Sequence, residues 1–179
     1  MKDKIQEKKL LYKIVVHKDA EAFGSLYDVY VERIYRFVFY KVGTREDTED
    51  LVSDIFLKTW NYLVSNKNTE VRSFSGLVYK VARNAVIDLY RKRANSKEHP
   101  IEHALGVEDS QFEKNEQKQE VAEILVLVRR LKSDYQEIIL LRFVEELSIK
   151  EIAKILDKSS TSVRVTLHRA LKKLKELSS

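Results

Sequence analysis

The feature of this sequence that most restricts its fold is a series of apolar residues spaced for one face of an α-helix. Ile149, Ile152, Ala153 and Leu156 recur at intervals of three and four residues, and a second such series runs from Val163 to Leu177. Similar periods occur along most of the chain, which has only one proline and four glycines among 179 residues. So few turn residues argue against a multi-stranded sheet. The sequence therefore predicts an all-α fold.

The segment from Leu147 to Leu177 has the pattern of a helix-turn-helix. Ser148 and Glu151 have the spacing of a capping box, and short polar residues at positions 157–160 favour a turn. The second helix is predicted to place a polar and cationic face opposite its apolar one: Thr161, Ser162, Arg164, Val165, His168, Arg169 and Lys172. Such a helix enters the DNA major groove in helix-turn-helix proteins. A surface helical hairpin with a solvated basic face fits the same periodicity.

Positive charge is concentrated in two blocks of the chain. Residues 148–179 hold eight Lys or Arg and three acidic residues, and residues 72–93 hold six Lys or Arg against Asp88 alone. Each block is therefore +5, which is also the net charge of the whole chain, so the remaining residues carry −5. This separation points to a polyanionic partner.

The basic block at residues 72–93 lies on a helix predicted from Gly76 to about Lys92, after a polar loop at residues 65–75. Its expected exposed face is cationic and is flanked by Tyr79 and Tyr90: Lys80, Arg83, Asn84, Asp88 and Arg91. Cations interleaved with aromatic rings suit single-stranded nucleic acid, whose bases can stack. A solvated helix with partly buried tyrosines explains the pattern equally well.

Three further helices are predicted before this one: Ile5 to His17, Ala20 to Tyr40 with Asp19 as cap, and Arg45 to about Val64 with Thr44 as cap. The second is dense in aromatic residues, which is typical of a core. The third has a polar face, where Asp54 and Lys58 have ion-pair spacing: Asp47, Asp50, Ser53, Asp54, Lys58 and Asn61. A solvated or partner-binding face explains these carboxylates better than catalysis or metal binding.

Composition changes at residues 94–118, which are acidic and contain Pro100 and Gly106 but few large apolar residues. Helical periodicity returns at Val121, and Ser133 to Gln136 is a second capping-box pattern, opening a helix that ends near Val144. We therefore expect two small helical domains, residues 1–94 and residues 119–179, joined by an acidic flexible linker at residues 95–118.

Several kinds of site are disfavoured by the sequence. The absence of cysteine excludes disulfides, thiolate metal ligands and a cysteine nucleophile. His99 and His103 are four residues apart, but Pro100 between them argues against a helical metal site. No glycine-rich phosphate loop is found, and we expect no catalytic residue, metal or cofactor.

The chain also shows no sign of membrane insertion or secretion. Residues 1–9 lack the apolar core of a signal peptide, and no apolar run approaches the length that spans a bilayer. The sequence therefore predicts a cytoplasmic protein without a membrane span of its own.

Three segments together resemble the extracytoplasmic-function (ECF) type of bacterial RNA polymerase sigma factor. Asp50 to Trp60 is similar to the family's polymerase-binding helix, and Tyr79 to Arg91 is similar to its promoter-melting helix. Leu140 to Ala170 is similar to its helix-turn-helix domain. The three matches occur in family order and at family spacing across nearly the whole chain.

The resemblance implies two domains that bind core RNA polymerase and promoter DNA and direct promoter-specific initiation. By match, the contacts with the clamp of the large polymerase subunit would be Asp50, Leu51, Ser53, Asp54, Leu57 and Lys58. The contacts with the downstream (−10) element would include a loop that takes a flipped base. The residues that make these contacts would be Lys67, Asn68, Arg72, Phe74, Lys80, Arg83, Asn84 and Arg91. Those with the upstream (−35) element would be Arg142, Ile149, Lys150, Ser159, Ser160, Ser162, Arg164, Val165, Thr166, His168, Arg169 and Lys172.

The sequence departs from the family pattern at a few of these places. Ser53 stands where the family usually has glutamine, Thr166 where a basic residue is common, and Thr161 where a glycine is common. The resemblance also implies control by an anti-sigma factor. The alternative function is a transcription regulator that binds DNA through its helix-turn-helix and dimerises through its N-terminal helices, without polymerase.

Overall fold

The computed structural model of the protein describes residues 2–65, 71, 73–95 and 124–178. Within these ranges the chain forms helices and no β-strand, which confirms the predicted all-α fold. The chain divides into two compact units, Met1–Pro100 and Ile101–Ser179. Of the helices in the described ranges, none combines the length and apolarity needed to cross a lipid bilayer.

The first unit is a bundle of four long helices: α1 (Lys2–His17), α2 (Ala20–Val42), α3 (Arg45–Ser65) and α4 (Phe74–Asn95). Helix α2 begins where Asp19 accepts a hydrogen bond from the Ala22 amide over 3.0 Å, as predicted. It ends at Gly43, whose φ of 85° is a left-handed conformation that glycine adopts without steric cost. Helices α2, α3 and α4 pack against one another, and α1 packs against all three.

Aromatic side chains fill the centre of this bundle. Phe37 is fully buried, and its ring meets the ring of Tyr79 edge-on with centroids 5.5 Å apart. Phe23 contacts Trp60 and Phe74 in the same edge-on way, at 5.1 Å and 5.9 Å. These pairs join α2 to α3 and α4. Of the seven aromatic residues of α2, Tyr30 and Phe37 are buried, as predicted for a core, whereas Tyr27 is exposed and the other four are half-buried.

The second unit contains a helix at residues 124–129 (α5), then α6 (Ser133–Ile139), α7 (Ile149–Leu156) and α8 (Ser160–Ser178). Helix α6 continues into a π-helical turn, Leu140–Val144, which ends where the sequence predicted. The core of the second unit is made of apolar side chains that are at most 5% exposed: Val128, Leu131, Ile138, Ile139, Leu140, Leu141, Ile152, Ile155, Val163 and Ala170. Helix α8 packs against both α6 and α7.

The helix-turn-helix forms by the local interactions that its sequence predicts. The Glu151 amide donates to Ser148 Oγ over 3.3 Å, and the Ser148 amide donates to Glu151 Oε2 over 2.9 Å, so the capping box is complete. Asp157 ends α7 in a left-handed conformation with φ of 55°. Ser159 then accepts from the Ser162 amide over 3.1 Å at the start of α8. Two caps therefore fix both helix starts.

Two predicted helix starts are wrong. Ser133 does not cap α6, because it already lies in the first turn of the helix, and Lys132 holds the cap position without a side-chain hydrogen bond. The Gln136 side chain instead donates to the carbonyls of Arg129 and Leu131, over 2.9 Å and 2.7 Å. Helix α4 begins at Phe74 rather than Gly76 because Ser73 Oγ accepts from the Gly76 amide over 3.1 Å.

Candidate nucleic-acid and polymerase-binding surfaces

Helix α8 presents the predicted cationic face to solvent. All seven residues of this α8 face are exposed: Thr161, Ser162, Arg164, Val165, His168, Arg169 and Lys172. On the opposite side, Val163 and Ala170 are fully buried against the rest of the unit. Because the buried side fixes the rotation of the helix, the cations of the α8 face cannot turn inward.

The remaining residues assigned to the upstream element differ in their exposure. Lys150 and Ser159 are exposed, whereas Ile149, Ser160 and Thr166 are half-buried. Arg142 is also half-buried, and its Nη1 donates to the Leu147 carbonyl over 3.0 Å. The Arg142 guanidinium thus supports the chain just before α7, with donors left for other acceptors.

Helix α4 carries the second cationic surface, the α4 face, made of Lys80, Arg83, Asn84, Asp88 and Arg91. Lys80, Asn84, Asp88 and Arg91 are exposed, and Arg83 is half-buried. Arg91 and Asp88 approach to 3.8 Å and are both largely solvated, so this ion pair contributes little to stability. The α4 face is therefore accessible to a polyanion.

Two aromatic residues expected at this surface lie in the core instead. Tyr79 is fully buried against Phe37, so it cannot flank the α4 face as a stacking platform. Phe74, assigned by the resemblance to the downstream element, is also fully buried, and its ring lies 5.3 Å from that of Tyr30. Both rings contact aromatic side chains of α2, Phe74 those of Tyr30 and Phe23 and Tyr79 that of Phe37. Tyr90 remains exposed, and its hydroxyl donates to the Lys41 carbonyl.

Some predicted features lie outside the described residues. These include three residues assigned to the downstream element, the histidine pair and most of the expected linker: Lys67, Asn68, Arg72, His99, His103 and residues 96–118. Their assignments stay predictions.

The surface assigned to polymerase, the α3 face, combines carboxylates with an exposed apolar side chain. Asp50, Ser53, Leu57 and Lys58 are exposed, and Leu51 and Asp54 are half-buried. Leu57 is 59% exposed. Lys58 Nζ lies 2.6 Å from Asp54 Oδ2, which confirms the predicted ion pair. An exposed leucine among fixed charges suits a protein partner better than plain solvent.

Asp47 was expected on the solvated side of α3, and this is wrong. It is half-buried, accepts a hydrogen bond from Thr44 and forms a 2.6 Å ion pair with Arg93 at the end of α4. Burial opposes ionisation of Asp47, but the hydrogen bonds from Thr44 and Arg93 outweigh it and lower the pKa of this carboxyl. No local pattern indicates a pair so distant in sequence.

Glu7 is a second residue that the sequence did not single out. It lies on α1, yet its carboxylate accepts a 2.9 Å hydrogen bond from the Phe74 amide at the start of α4. The only local signal is that Glu7 is an acidic residue among the lysines of the N-terminal segment.

Comparison with protein families matches both units. Residues 26–96 match Sigma-70 region 2, and residues 121–174 match Sigma-70, region 4. The first match contains the α3 and α4 faces, and the second contains the α8 face.

Individual relatives match over most of the chain. The chain is 32% identical to the ECF RNA polymerase sigma factor BldN of Streptomyces coelicolor, covering 89% of this chain and 61% of the relative. It is 32% identical to the ECF RNA polymerase sigma factor SigX of Bacillus subtilis, over 87% of this chain and 83% of SigX. The RNA polymerase sigma factor YlaC of the same organism is 30% identical, over 89% of this chain and 93% of YlaC.

Solved structures share the fold at lower identity. CnrH, in complex with the cytosolic domain of CnrY, is 20% identical with a TM-score of 0.70 over 96% of both chains. The sigma factor RpoE of Bartonella quintana, in complex with the anti-sigma factor NepR, is 20% identical with a TM-score of 0.69. That match covers 87% of this chain and 95% of RpoE.

Proposed function

The chain belongs to the ECF RNA polymerase sigma factors, and from this premise we propose that it binds core RNA polymerase and directs it to specific promoters. Sigma factors regulate transcription and are not enzymes. The observation that carries the proposal is that the exposed surfaces of α3, α4 and α8 fall within the two matched segments. We place the protein in the cytoplasm, where polymerase and chromosome meet.

In this proposal the two units have separate tasks. Residues 1–94 bind polymerase through the α3 face and the downstream element through the α4 face, and residues 119–179 bind the upstream element. Residues 95–118 serve as the acidic linker between them. Lys80, Asn84 and Arg91 supply charge and hydrogen bonds for the DNA backbone and for exposed bases. Unstacking a base costs a few kcal/mol, which contacts with the flipped base and the phosphates offset.

The α8 face enters the major groove at the upstream element. In a helix-turn-helix, residues in the first turns of the second helix reach the base edges, while the first helix and the helix caps contact the backbone. Arg164 lies in the first turns of α8 and is exposed, so it is our candidate for bidentate contact with guanine. Lys150 on α7 and Ser159 before α8 are also exposed and are our candidates for phosphate contact.

We also propose control by an anti-sigma factor. The similar structures of CnrH and RpoE each contain a bound partner, which for RpoE is the anti-sigma factor NepR. The α3 face offers such a partner the exposed Leu57 and Asp50 and the half-buried Asp54 in the same place that polymerase would use. A partner bound there would exclude polymerase by direct competition.

The test combines binding and transcription. The purified chain is mixed with core polymerase and resolved by gel filtration, and the complex then transcribes a library of genomic fragments. We expect stoichiometric co-elution and initiation at a small set of promoters, both weakened by Asp54→Ala. Specific DNA binding without co-elution would overturn the proposal and support a regulator that acts through its helix-turn-helix alone.

A further inference from the structure

A carboxylate from α1 caps the helix that carries the α4 face. Glu7 Oε1 accepts from the Phe74 amide over 2.9 Å and lies 3.4 Å from the Ser75 amide and from Ser73 Oγ. Ser73 Oγ accepts from the Gly76 amide, so the first three amides of α4 all face an acceptor. For the Phe74 and Ser75 amides the acceptor is Glu7, which lies more than sixty positions earlier in the chain.

The other oxygen of Glu7 is held by α2. The Tyr30 hydroxyl donates to Glu7 Oε2 over 2.6 Å, and Tyr30 is only 6% exposed. The Tyr30 ring also lies against the ring of Phe74. Phe74 is thus held by its backbone through Glu7 and by its side chain through Tyr30 and Phe23. Burial, the hydrogen bond to Glu7 and the Glu7 charge all raise the pKa of Tyr30, so the hydroxyl stays a donor.

The location of this cap makes it more than a generic helix end. A negative charge at a helix N-terminus is favoured by the helix dipole, and here, together with Ser73 Oγ and the buried side chains of α4, it holds the first turn of the helix in place. The rotation of α4 determines the directions in which Lys80 and Asn84 point. Lys80 lies between one and two turns after Phe74, and Asn84 lies nearly three turns after it.

We propose that Glu7 is a positioning residue for promoter opening, acting through α4 on the surface that takes the downstream element. This inference rests on the proposed function, because it assumes that the α4 face binds the downstream element. Helix α1 is then part of the promoter-opening unit rather than a separate appendage. Glu7 itself does not touch DNA in this scheme.

The experiment compares Glu7→Ala, Glu7→Gln and Tyr30→Phe in the full chain. For each variant we would measure amide hydrogen exchange at Phe74 and Ser75, affinity for core polymerase, and open-complex formation detected by reactivity of unpaired thymines. Glu32→Ala removes an exposed charge from α2 in the same unit and serves as the matched control.

For Glu7→Ala we expect exchange at Phe74 and Ser75 to accelerate about two- to thirtyfold, the range for loss of a helix cap. Open-complex formation should fall by a similar factor, while polymerase affinity stays within about twofold of wild type. Glu7→Gln should recover part of both losses, because its amide oxygen can still accept from the Phe74 amide. Tyr30→Phe should have the smallest effect, and Glu32→Ala should have none.

Two results would overturn the inference. Normal opening by Glu7→Ala would show that the cap does not position α4 for DNA. A parallel fall in polymerase affinity and opening would show general loss of the fold, because α3 belongs to the same unit. If the wild-type chain itself neither joins polymerase nor opens a promoter, the proposed function fails, and the exchange rates still report separately whether Glu7 caps α4.

Discussion

Arg93 Nη2 lies 2.6 Å from Asp47 Oδ2, and this ion pair joins the last turn of α4 to the first turn of α3. The two side chains are 27% and 31% exposed, so the pair is only partly screened by solvent. It ties α3 to α4, the helices that carry the proposed polymerase-binding and downstream-element surfaces.

This pair predicts a pH-dependent contribution to stability. Asp47→Asn should lower the free energy of unfolding by about 1 kcal/mol at pH 7, measured by urea denaturation. The pKa of Asp47 is lowered in the folded state, so its contribution is complete above the ordinary pKa near 4. It is lost as pH falls through the lowered value, and the variant should then approach wild type.

Glu46→Gln is the matched control, since Glu46 is exposed in the same first turn of α3. It should change stability by a few tenths of a kcal/mol at most, as expected for an exposed charge near a helix end. An Asp47→Asn deficit that is equally large at pH 7 and near pH 3 would contradict the assignment to the ionised carboxylate.

The second prediction concerns the capping box of α7. Ser148→Ala removes the acceptor for the Glu151 amide and should destabilise the C-terminal unit by about 1 kcal/mol. Thermal denaturation of the full chain, followed by a probe in residues 124–178, measures the loss. Ser178→Ala changes an exposed serine at the end of α8 and should be neutral. If the two variants unfold at the same temperature, the Ser148 cap contributes nothing to the stability of the unit.

The third prediction concerns base recognition by the α8 face. Arg164→Ala should relax selectivity at one or two base pairs of the upstream element, with a loss of about 1–3 kcal/mol of discrimination. Binding to a panel of single-base variants of the element measures it. Lys173→Ala removes the same charge near the end of α8, where Lys173 pairs with Glu176 at 3.0 Å, and should leave selectivity intact. Uniformly weaker binding of Arg164→Ala to all variants would indicate a phosphate contact instead.

The fourth prediction concerns the α3 face. Leu57→Ala should weaken binding of core polymerase about fivefold or more without loss of stability, because the side chain is exposed in the free protein. Titration of labelled protein with polymerase measures the affinity. Val29 on α2 is similarly exposed at 58%, so Val29→Ala is the matched apolar control. If both variants bind like wild type, Leu57 does not anchor the complex.

The features that depend on neighbours three or four residues apart could be predicted from the sequence. The helix-turn-helix boundary at Ser148, the Asp54–Lys58 pair and the outward cations of α8 all follow from helical periodicity and from hydrogen bonds within one turn. These interactions form in the structure because the same geometry operates in any helix of that sequence. The order of the functional segments and the function itself were predicted from the resemblance to the sigma factor family.

The contacts between helices could not be predicted from the sequence and depend on how the helices pack. The Asp47–Arg93 pair and the Glu7 cap on α4 join residues far apart in the chain, and burial of Tyr79 and Phe74 depends on which face of α4 meets α2. Prediction from local sequence also failed at Ser133. The capping box predicted for Ser133 and Gln136 does not form, and the Gln136 side chain instead donates to carbonyls of the preceding turn. Packing brings such groups together, and no local spacing encodes which helix will supply the partner.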